Sequence, residues 1–350
     1  GVKVFESATV DTNVLLLGKS KNTGTTTACV IKQKGIKELS DYIRQNGCPA
    51  SFTDSNSWVI LSPIEQRIKE KIEKVGTPLK DWDIQINYGI KTGYNEAFIV
   101  SGEKKQEILD NCKDENERKR TDELIRPILR GKDIKRYGYN FADKWLICIS
   151  AGYTNAHRQG IEPEEFIKQK YPSVYAHFMR VHEEYISNPT MRRKSKGLKG
   201  RDDMGDYWWE LRSCAYLEDF SKQKIVWGEI SDKTKFALDY EGHYYNEATT
   251  FYLVGENLKY LLCALNAKIS EWQFSRIGTT TGVGTVRWKK YTIGQLLLPH
   301  ISDNEAKKFS TIVDQMQSEG SSLEKEDEIN RLIFGVYGLT QEEINFIESI

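Results

Sequence analysis

Apolar residues recur at helical spacing after residue 62, and the residues that flank them define a helix. Ser62 is a suitable N-cap, and Glu65, three residues later, completes a capping box. The isoleucines that follow are four residues apart and form one apolar stripe, which ends before Gly76. Because this helix falls where a linker between domains would lie, residues 62–81 are predicted to be a linker helix.

Further helices are predicted over residues 172–186 and 256–274, and in the tail, where Thr340 and Glu343 form a second capping box. Runs of β-branched and aromatic residues predict strands at residues 2–17, 58–61, 84–100, 144–150, 224–227, 236–239 and 250–254. Strands and helices do not alternate regularly, which argues against a parallel βαβ sheet. The pattern predicts an α+β fold, a mixed or antiparallel β-rich domain with inserted helices and a helical C-terminal tail.

Length and charge change this picture in one respect. The 350 residues suffice for about two domains, and the net charge is zero because Lys+Arg and Asp+Glu are both 50. Residues 301–350, however, carry 11 acids and 4 bases, a net charge of −7, which leaves +7 on residues 1–300. The neutral total therefore does not exclude nucleic acid as a ligand of the larger part of the chain.

The sequence also limits the compartment. No apolar run approaches the roughly 18 residues that span a bilayer, no signal peptide is visible, and no membrane partner is expected. The six cysteines are dispersed without a Cys-x-x-Cys pair, so neither disulfides nor a Cys-based zinc site is expected. We expect a cytoplasmic protein, and the opening on Gly1 suggests an excised fragment.

Motifs of nucleotide-binding and metal-dependent enzymes are missing. The segment 278–284 is glycine-rich but lacks the lysine of a P-loop and follows a helix rather than a strand. A flexible turn and a loop that approaches a phosphate both remain open there, since Arg287 and Lys289 follow. His177 and His182 are five residues apart, which does not place two metal ligands on one helix face. No catalytic residue and no metal ligand is predicted.

The segment 188–212 is the strongest candidate for nucleic-acid binding. Its bases fall within ten residues, interleaved with glycines and followed by Trp208 and Trp209. These bases are Arg192, Arg193, Lys194, Lys196, Lys199 and Arg201. Cations displace counterions from phosphates and planar side chains stack on bases, although a solvated loop beside a core tryptophan pair fits the composition equally well.

In chain order, the segments resemble a known family. Residues 89–98 resemble the motif G-x-x-T-G-x-N-x-A-F, and residues 129–137 resemble L-x-G-x-D-I-x-x-Y. Further motifs of the same group are matched at residues 207–216, 224–230, 261–272 and 287–299. Ala267 stands where that group usually has serine, and His300 and Ile301 replace the end of its closing motif. Together they are similar to the TaqI-like C-terminal specificity domain of adenine-specific DNA methyltransferases and fused type II restriction-modification enzymes.

The resemblance implies a division of the chain. Residues 1–61 would be the last strands of a methyltransferase domain, 62–81 the linker helix, 82–300 the target-recognition domain and 301–350 a helical C-terminal region. The Asn-Pro-Pro-Tyr/Phe motif that holds a flipped adenine is absent. We therefore expect a non-catalytic fragment without a cofactor, whose parent enzyme uses S-adenosylmethionine.

The implied function is sequence-specific recognition of double-stranded DNA. The module would position DNA for base flipping and methyl transfer by the methyltransferase domain of the parent chain, whether or not that parent also cleaves DNA. Phosphate contacts are predicted for Lys132 and the six bases of the segment 188–212. Contacts to bases or the nearby backbone are predicted for Lys91, Thr92, Tyr94, Asn95, Trp208, Arg212 and Arg287.

Two alternatives stay open at this point. In one, the chain is the specificity module of a multi-subunit restriction or phage-exclusion system, and the acidic helices after Asp303 dock a partner protein. Packing of that tail against its own domain would count against this hypothesis. In the other, the chain is a nuclease with a dispersed site, which a cleft with three or more acids and a divalent metal would support.

Overall fold

The computed structural model describes residues 14–19, 21, 24–31, 36, 38–50, 60–194, 196–277, 279–280 and 286–349. The strands are β1 Thr26–Ala28, β2 Cys48–Ala50, β3 Gly76–Pro78, β4 Ile84–Tyr88, β5 Ile99–Ser101, β6 Ile125–Leu129, β7 Ile134–Lys135, β8 Gly138–Tyr139, β9 Lys144–Ile147, β10 Lys224–Gly228, β11 Ile230–Ser231, β12 Phe236–Asp239, β13 Tyr245–Asn246, β14 Thr250–Gly255, β15 Thr279–Thr280, β16 Val286–Arg287 and β17 Leu297–Pro299. The helices are α1 Leu39–Asn46, α2 Pro63–Val75, α3 Asn95–Phe98, α4 Gly102–Asp110, α5 Glu115–Leu124, α6 Tyr153–His157, α7 Pro163–Lys170, α8 Pro172–Ser187, α9 Pro189–Lys194, α10 Leu258–Asn266, α11 Lys268–Ile277, α12 Lys290–Ile293, α13 Asp303–Glu319, α14 Leu323–Val336 and α15 Gln341–Glu348.

A four-stranded antiparallel sheet with the order β12-β10-β14-β4 is buried on both faces. Successive residues of a strand point to opposite faces, so Ile225 and Trp227 enter one hydrophobic cluster while Val226 enters the other. The first cluster is completed by α2, α10, α11 and the tail helices. The second is completed by α7, α8 and a second sheet. The central sheet is thus the layer that both halves of the core share.

The second sheet has the order β13-β6-β9-β5. Its pairs are antiparallel except for β13 with β6, which run parallel. In the smaller sheets, β16 pairs with β11 and with β15, β17 pairs with β3, and β7 pairs with β8. The predicted α+β class, with mainly antiparallel strands, inserted helices and a helical tail, is confirmed.

The C-terminal helices are part of the core. Phe309, Ile333, Phe334 and Ile347 are buried in the same cluster as Ile68 of α2. This packing counts against the hypothesis that the tail is a free docking element for a partner protein. It also makes α2, predicted as a linker, a core helix of this fold.

Four predicted elements differ from the structure or lie partly outside its described residues. The strand predicted over residues 84–100 divides into β4, α3 and β5. The helix predicted over 256–274 divides at Ala267 into α10 and α11. Of the strands predicted at 2–17 and 58–61, residues 2–13 and 58–59 lie outside the described residues, and 14–17 and 60–61 form no strand.

Candidate nucleic-acid interface

A surface cavity of about 580 Å³ brings together two segments that are about 100 residues apart in sequence. Residues 91–96 form one wall, and Met191 and Asp203 contribute from the segment 188–212. Four predicted DNA-contacting residues line it: Lys91, Thr92, Tyr94 and Asn95. The structure therefore supports treating these two motifs as one surface.

Hydrogen bonds fix the orientation of Asn95 at the cavity wall. Thr92 is buried, and its hydroxyl donates to Asn95 Oδ1 over 2.5 Å. Asn95 Nδ2 donates to Glu247 Oε1 over 3.2 Å. A side-chain amide has two acceptor sites and two donor hydrogens, so the exposed Asn95 retains one of each for a ligand.

Tyr94 is 7% exposed, and its ring meets that of Tyr185 edge-on at 6.0 Å between centroids. Burial raises the pKa of its hydroxyl. Thr92, at 1%, is less exposed still. These two predicted contact residues therefore support the cavity wall from inside, and of the four predicted contact residues in this motif Lys91 and Asn95 are the exposed ones.

The connection 247–249, between β13 and β14, contributes Ala248 to the lining of this cavity and also contacts Leu129 and Glu229. Backbone hydrogen bonds make these contacts: Glu247 N donates to Leu129 O, and Glu229 N donates to Thr249 O, each over 2.9 Å. Gly89 packs so closely here that a Cβ built on it would lie 2.0 Å from Glu247 O. No motif singles out these residues, and the sequence analysis missed them.

Lys132 lies on this surface and is exposed. It belongs to a 3-10 turn, Gly131–Asp133, that an ion pair between Arg130 and Asp133 holds over 2.8 Å. The turn packs on the connection, because a Cβ built on Gly131 would lie 3.6 Å from Thr249 O. The predicted phosphate contact is thus available to a ligand.

Arg287 lies on β16, which pairs with β11. Its Nη1 is 3.0 Å from Glu229 Oε1, and Lys289 Nζ is 4.0 Å from the same atom. Glu229, also missed from the sequence, links this pair to Thr249. Of the glycine-rich segment 278–284, residues 278 and 281–284 lie outside the described residues.

We call the surface formed by Lys91, Asn95, Lys132, Arg287 and residues 247–249 the recognition edge. Helix α9, which carries Arg192, Arg193 and Lys194, borders it through Met191. The side chains of these three bases lie outside the described part of the chain.

Lys196 and Lys199 are exposed, and Lys196 Nζ is 2.5 Å from Asp202 Oδ1. Arg212 pairs with Asp203 over 3.0 Å beside the cavity.

Arg201 has a different environment from its basic neighbours. It is 4% exposed, and its guanidinium donates to four backbone carbonyls, those of Leu198, Asp203, Trp208 and Glu210. Burial lowers its pKa to about 10. With its donors occupied inside the protein, Arg201 holds the loop together, and the phosphate contact predicted for it is not available in this structure.

The two adjacent tryptophans divide between surface and core. Trp209 is 2% exposed, and its Nε1 donates to Thr154 Oγ1 over 2.9 Å. Trp208 is half-buried against Phe178, and Lys199 Nζ lies 4.8 Å from its ring centroid. Trp208 is therefore the one whose indole remains partly open to a ligand.

Over the described ranges, no group of three or more His, Cys, Asp or Glu side chains is arranged to hold a metal ion. Over the same ranges, no helix is long and apolar enough to cross a membrane.

Comparisons with known proteins show what the chain is similar to. Residues 126–298 match the family model described as TaqI-like C-terminal specificity domain, which confirms the resemblance for that part of the chain. None of the curated proteins matches the chain. A solved structure of the type IIL restriction-modification enzyme MmeI in complex with DNA is similar, with a TM-score of 0.51 and 12% identity over 87% of this chain and 39% of MmeI.

The type IIG restriction endonuclease BpuSI aligns with a TM-score of 0.42 and 13% identity over 79% of this chain and 33% of BpuSI. At such low identity the likeness to MmeI is one of fold alone. The chain spans less than half of the length of either enzyme.

Proposed function

We propose that the chain recognises a specific sequence in double-stranded DNA, because residues 126–298 match the TaqI-like C-terminal specificity domain. It serves a restriction-modification adenine methyltransferase, whose catalytic domain is not contained in this chain. Recognition positions the duplex so that this domain, with S-adenosylmethionine, flips out and methylates one adenine.

The observation that carries the proposal is the recognition edge itself. Segments around residues 91, 132 and 287, each predicted separately to contact DNA, converge on the connection 247–249. Lys91 and Lys132 are exposed and Arg287 is partly exposed, so these cations are accessible to a phosphate backbone. Among the acids nearby, Asp203 pairs with Arg212 and Glu229 with Arg287, while the exposed Glu96 also lines the cavity.

The edge offers both kinds of contact that sequence-specific binding needs. Lys132 is exposed and forms no side-chain ion pair with the described residues, which suits a phosphate contact. Arg287 is held by a single carboxylate, so further donors of its planar fork remain for the acceptor edge of a guanine. Asn95, oriented by Thr92 and Glu247, presents a donor and an acceptor side by side.

Salt-dependent binding tests the proposal. We would measure fluorescence anisotropy of a labelled duplex carrying the parent enzyme's methylation motif, identified by methylation sequencing, and of a scrambled duplex. Lys132→Ala should weaken binding to both duplexes equally and flatten the slope of log K against log salt by about 0.9. Arg287→Ala should reduce mainly the preference for the specific duplex, by about 1–3 kcal/mol.

The matched control is Lys69→Ala, which removes an exposed lysine on α2 outside the edge. It should leave affinity, slope and preference unchanged. The proposal fails if the chain does not discriminate between the duplexes, or if Lys132→Ala behaves like the control.

A further inference from the structure

A second cavity, of about 390 Å³, lies at the other end of the central sheet from the recognition edge. Strand β10 connects the two sites: its first residue, Lys224, pairs with Asp239 under this cavity, and its last residue, Gly228, precedes Glu229 at the edge. Five residues of strand separate the sites by about 13 Å. A ligand held in this cavity therefore occupies a different region of the surface from the recognition edge.

The cavity is walled by aromatic rings. Tyr139, Tyr240, His243 and Tyr244 line it. The ring of Tyr244 meets that of Tyr139 at 67° and 4.9 Å, and that of His243 at 87° and 4.9 Å. Rings set nearly at right angles form adjoining walls of a box, and such boxes present several π faces to one guest.

The carboxylates that line the cavity are those of Asp239 and Glu241, and Gln317 adds a neutral amide. Asp239 is buried, and Lys224 Nζ and the backbone N–H groups of His243 and Tyr244 satisfy its carboxylate. Glu241 also lines the cavity; it is exposed and forms no ion pair with the described residues. Among the described residues that line the cavity, none is a lysine or an arginine.

One wall already contacts a cation from within the chain. Lys259 Nζ lies 5.5 Å from the ring centroid of Tyr240 and pairs with Asp314 over 2.6 Å. The Tyr240 hydroxyl donates to the same carboxylate over 3.2 Å. Tyr240 and Asp314 thus bind the ammonium group of Lys259 with a ring and a carboxylate. The cavity offers the same two kinds of group.

We propose that this cavity is a docking site for an arginine side chain presented by a neighbouring protein surface. The aromatic walls stack on the planar guanidinium, and Glu241 accepts its N–H groups. The negative carboxylate disfavours a phosphate, so nucleic acid is not the occupant. The site would let this module contact a protein partner while the recognition edge stays free.

A pair of isosteric ligands tests the proposal with the whole chain. N-acetyl-arginine amide and N-acetyl-citrulline amide have nearly the same shape, but only the first carries a charge. Both would be titrated while the backbone amide signals of residues 239–244 are followed by NMR. We expect the arginine derivative to bind roughly tenfold more tightly, with saturable shifts confined to the cavity.

Glu241→Gln should weaken binding of the arginine derivative to the level of citrulline, and Tyr139→Leu should weaken both ligands. Glu256→Gln, which neutralises an exposed acid outside the cavity, is the control. Because Glu241 is exposed, its substitution tests the site even if Tyr139→Leu perturbs folding. The absence of binding, equal binding of the two ligands, or an unaffected Glu241→Gln would each overturn the proposal.

Duplex binding is measured on the same Glu241→Gln protein and should be unchanged. Failure of the arginine site and failure of DNA recognition are therefore separate results.

Discussion

Arg201 shows that a basic residue within a basic segment can belong to the core. Its four carbonyl partners come from both sides of the loop, and its guanidinium also lies 4.3 Å from the ring centroid of Phe98. A planar fork of five donors can satisfy several carbonyls at once, which a lysine ammonium cannot do in the same geometry. The composition of residues 188–212 does not distinguish this arginine from its exposed neighbours, because the difference arises only when the loop closes.

At the residue scale, we predict that Arg201→Met lowers the free energy of unfolding by about 3 kcal/mol, since it leaves buried carbonyls without donors. Urea unfolding monitored by tryptophan fluorescence measures this change. The matched variant Arg212→Met removes an exposed arginine with one carboxylate partner and should change stability by no more than about 1 kcal/mol. Equal stabilities of the two variants would show that Arg201 is not the structural residue of the loop.

At the scale of elements, local signals predicted well wherever a side chain interacts with its own backbone neighbourhood. The capping boxes at Ser62 and Thr340 form as predicted, and α2 ends before Gly76. Strand β12 has the predicted bounds because its apolar residues are buried on both faces. The division of residues 256–274 at Ala267 was missed, because its cause lies 30 residues away in sequence.

That cause is Phe236, which binds Asn266 at the end of α10. The side chain of Asn266 is fully buried, its Oδ1 accepts from Phe236 N over 3.1 Å, and its Nδ2 donates to Phe236 O over 2.9 Å. From α14, the side chain of Asn330 accepts a hydrogen bond from Lys268 N over 2.9 Å, at the start of α11. These long-range contacts provide a helix end that the apolar periodicity alone does not show.

We predict that Asn266→Ala lowers the free energy of unfolding by about 2 kcal/mol, because two buried backbone groups of Phe236 lose a partner. Hydrogen exchange should then increase at the amides of β12 more than at those of α15. Asn345→Ala, on the exposed face of α15, is the control and should stay within about 0.5 kcal/mol of the parent. A variant as stable as this control would rule out Asn266 as the anchor between helix and strand.

The same limit applies to the recognition edge. Lys91, Asn95, Lys132 and Arg287 could be selected from the sequence because basic and amide side chains in glycine-rich segments are a readable signal. The connection 247–249 could not, since it contributes through backbone groups that every residue type supplies. Which cations end up exposed was likewise decided by tertiary packing.

At the scale of the whole molecule, the net charge of the C-terminal tail does not indicate how the tail packs. Residues 301–350 carry a net charge of −7, yet they are not an acidic appendage. Their apolar faces complete the cluster on one side of the central sheet, and Glu343, 1% exposed, pairs with Lys71 of α2 over 2.7 Å. Net charge alone describes the surface of this tail and gives no information about its buried face.

We therefore predict that Phe334→Ala, in α14, destabilises the entire protein by about 3–5 kcal/mol, because it opens a cavity in the shared core. Thermal unfolding should show a single transition at a lower Tm rather than separate loss of the tail. Asp327→Ala, on the exposed side of the same helix, is the comparison and should have little effect. A separate low-temperature transition would instead identify the tail as an independent unit.

The backbone hydrogen bonds at residues 247–249 have a consequence for how the sequence of such a domain can evolve. Backbone amide and carbonyl groups join Glu247 to Leu129 and Glu229 to Thr249, whereas the groups facing outward are side chains. A lineage can therefore exchange the outward residues at positions 91, 132 and 287 by single codon changes without dismantling the frame that presents them. Under the proposed function, the preferred target can therefore change while the scaffold stays the same.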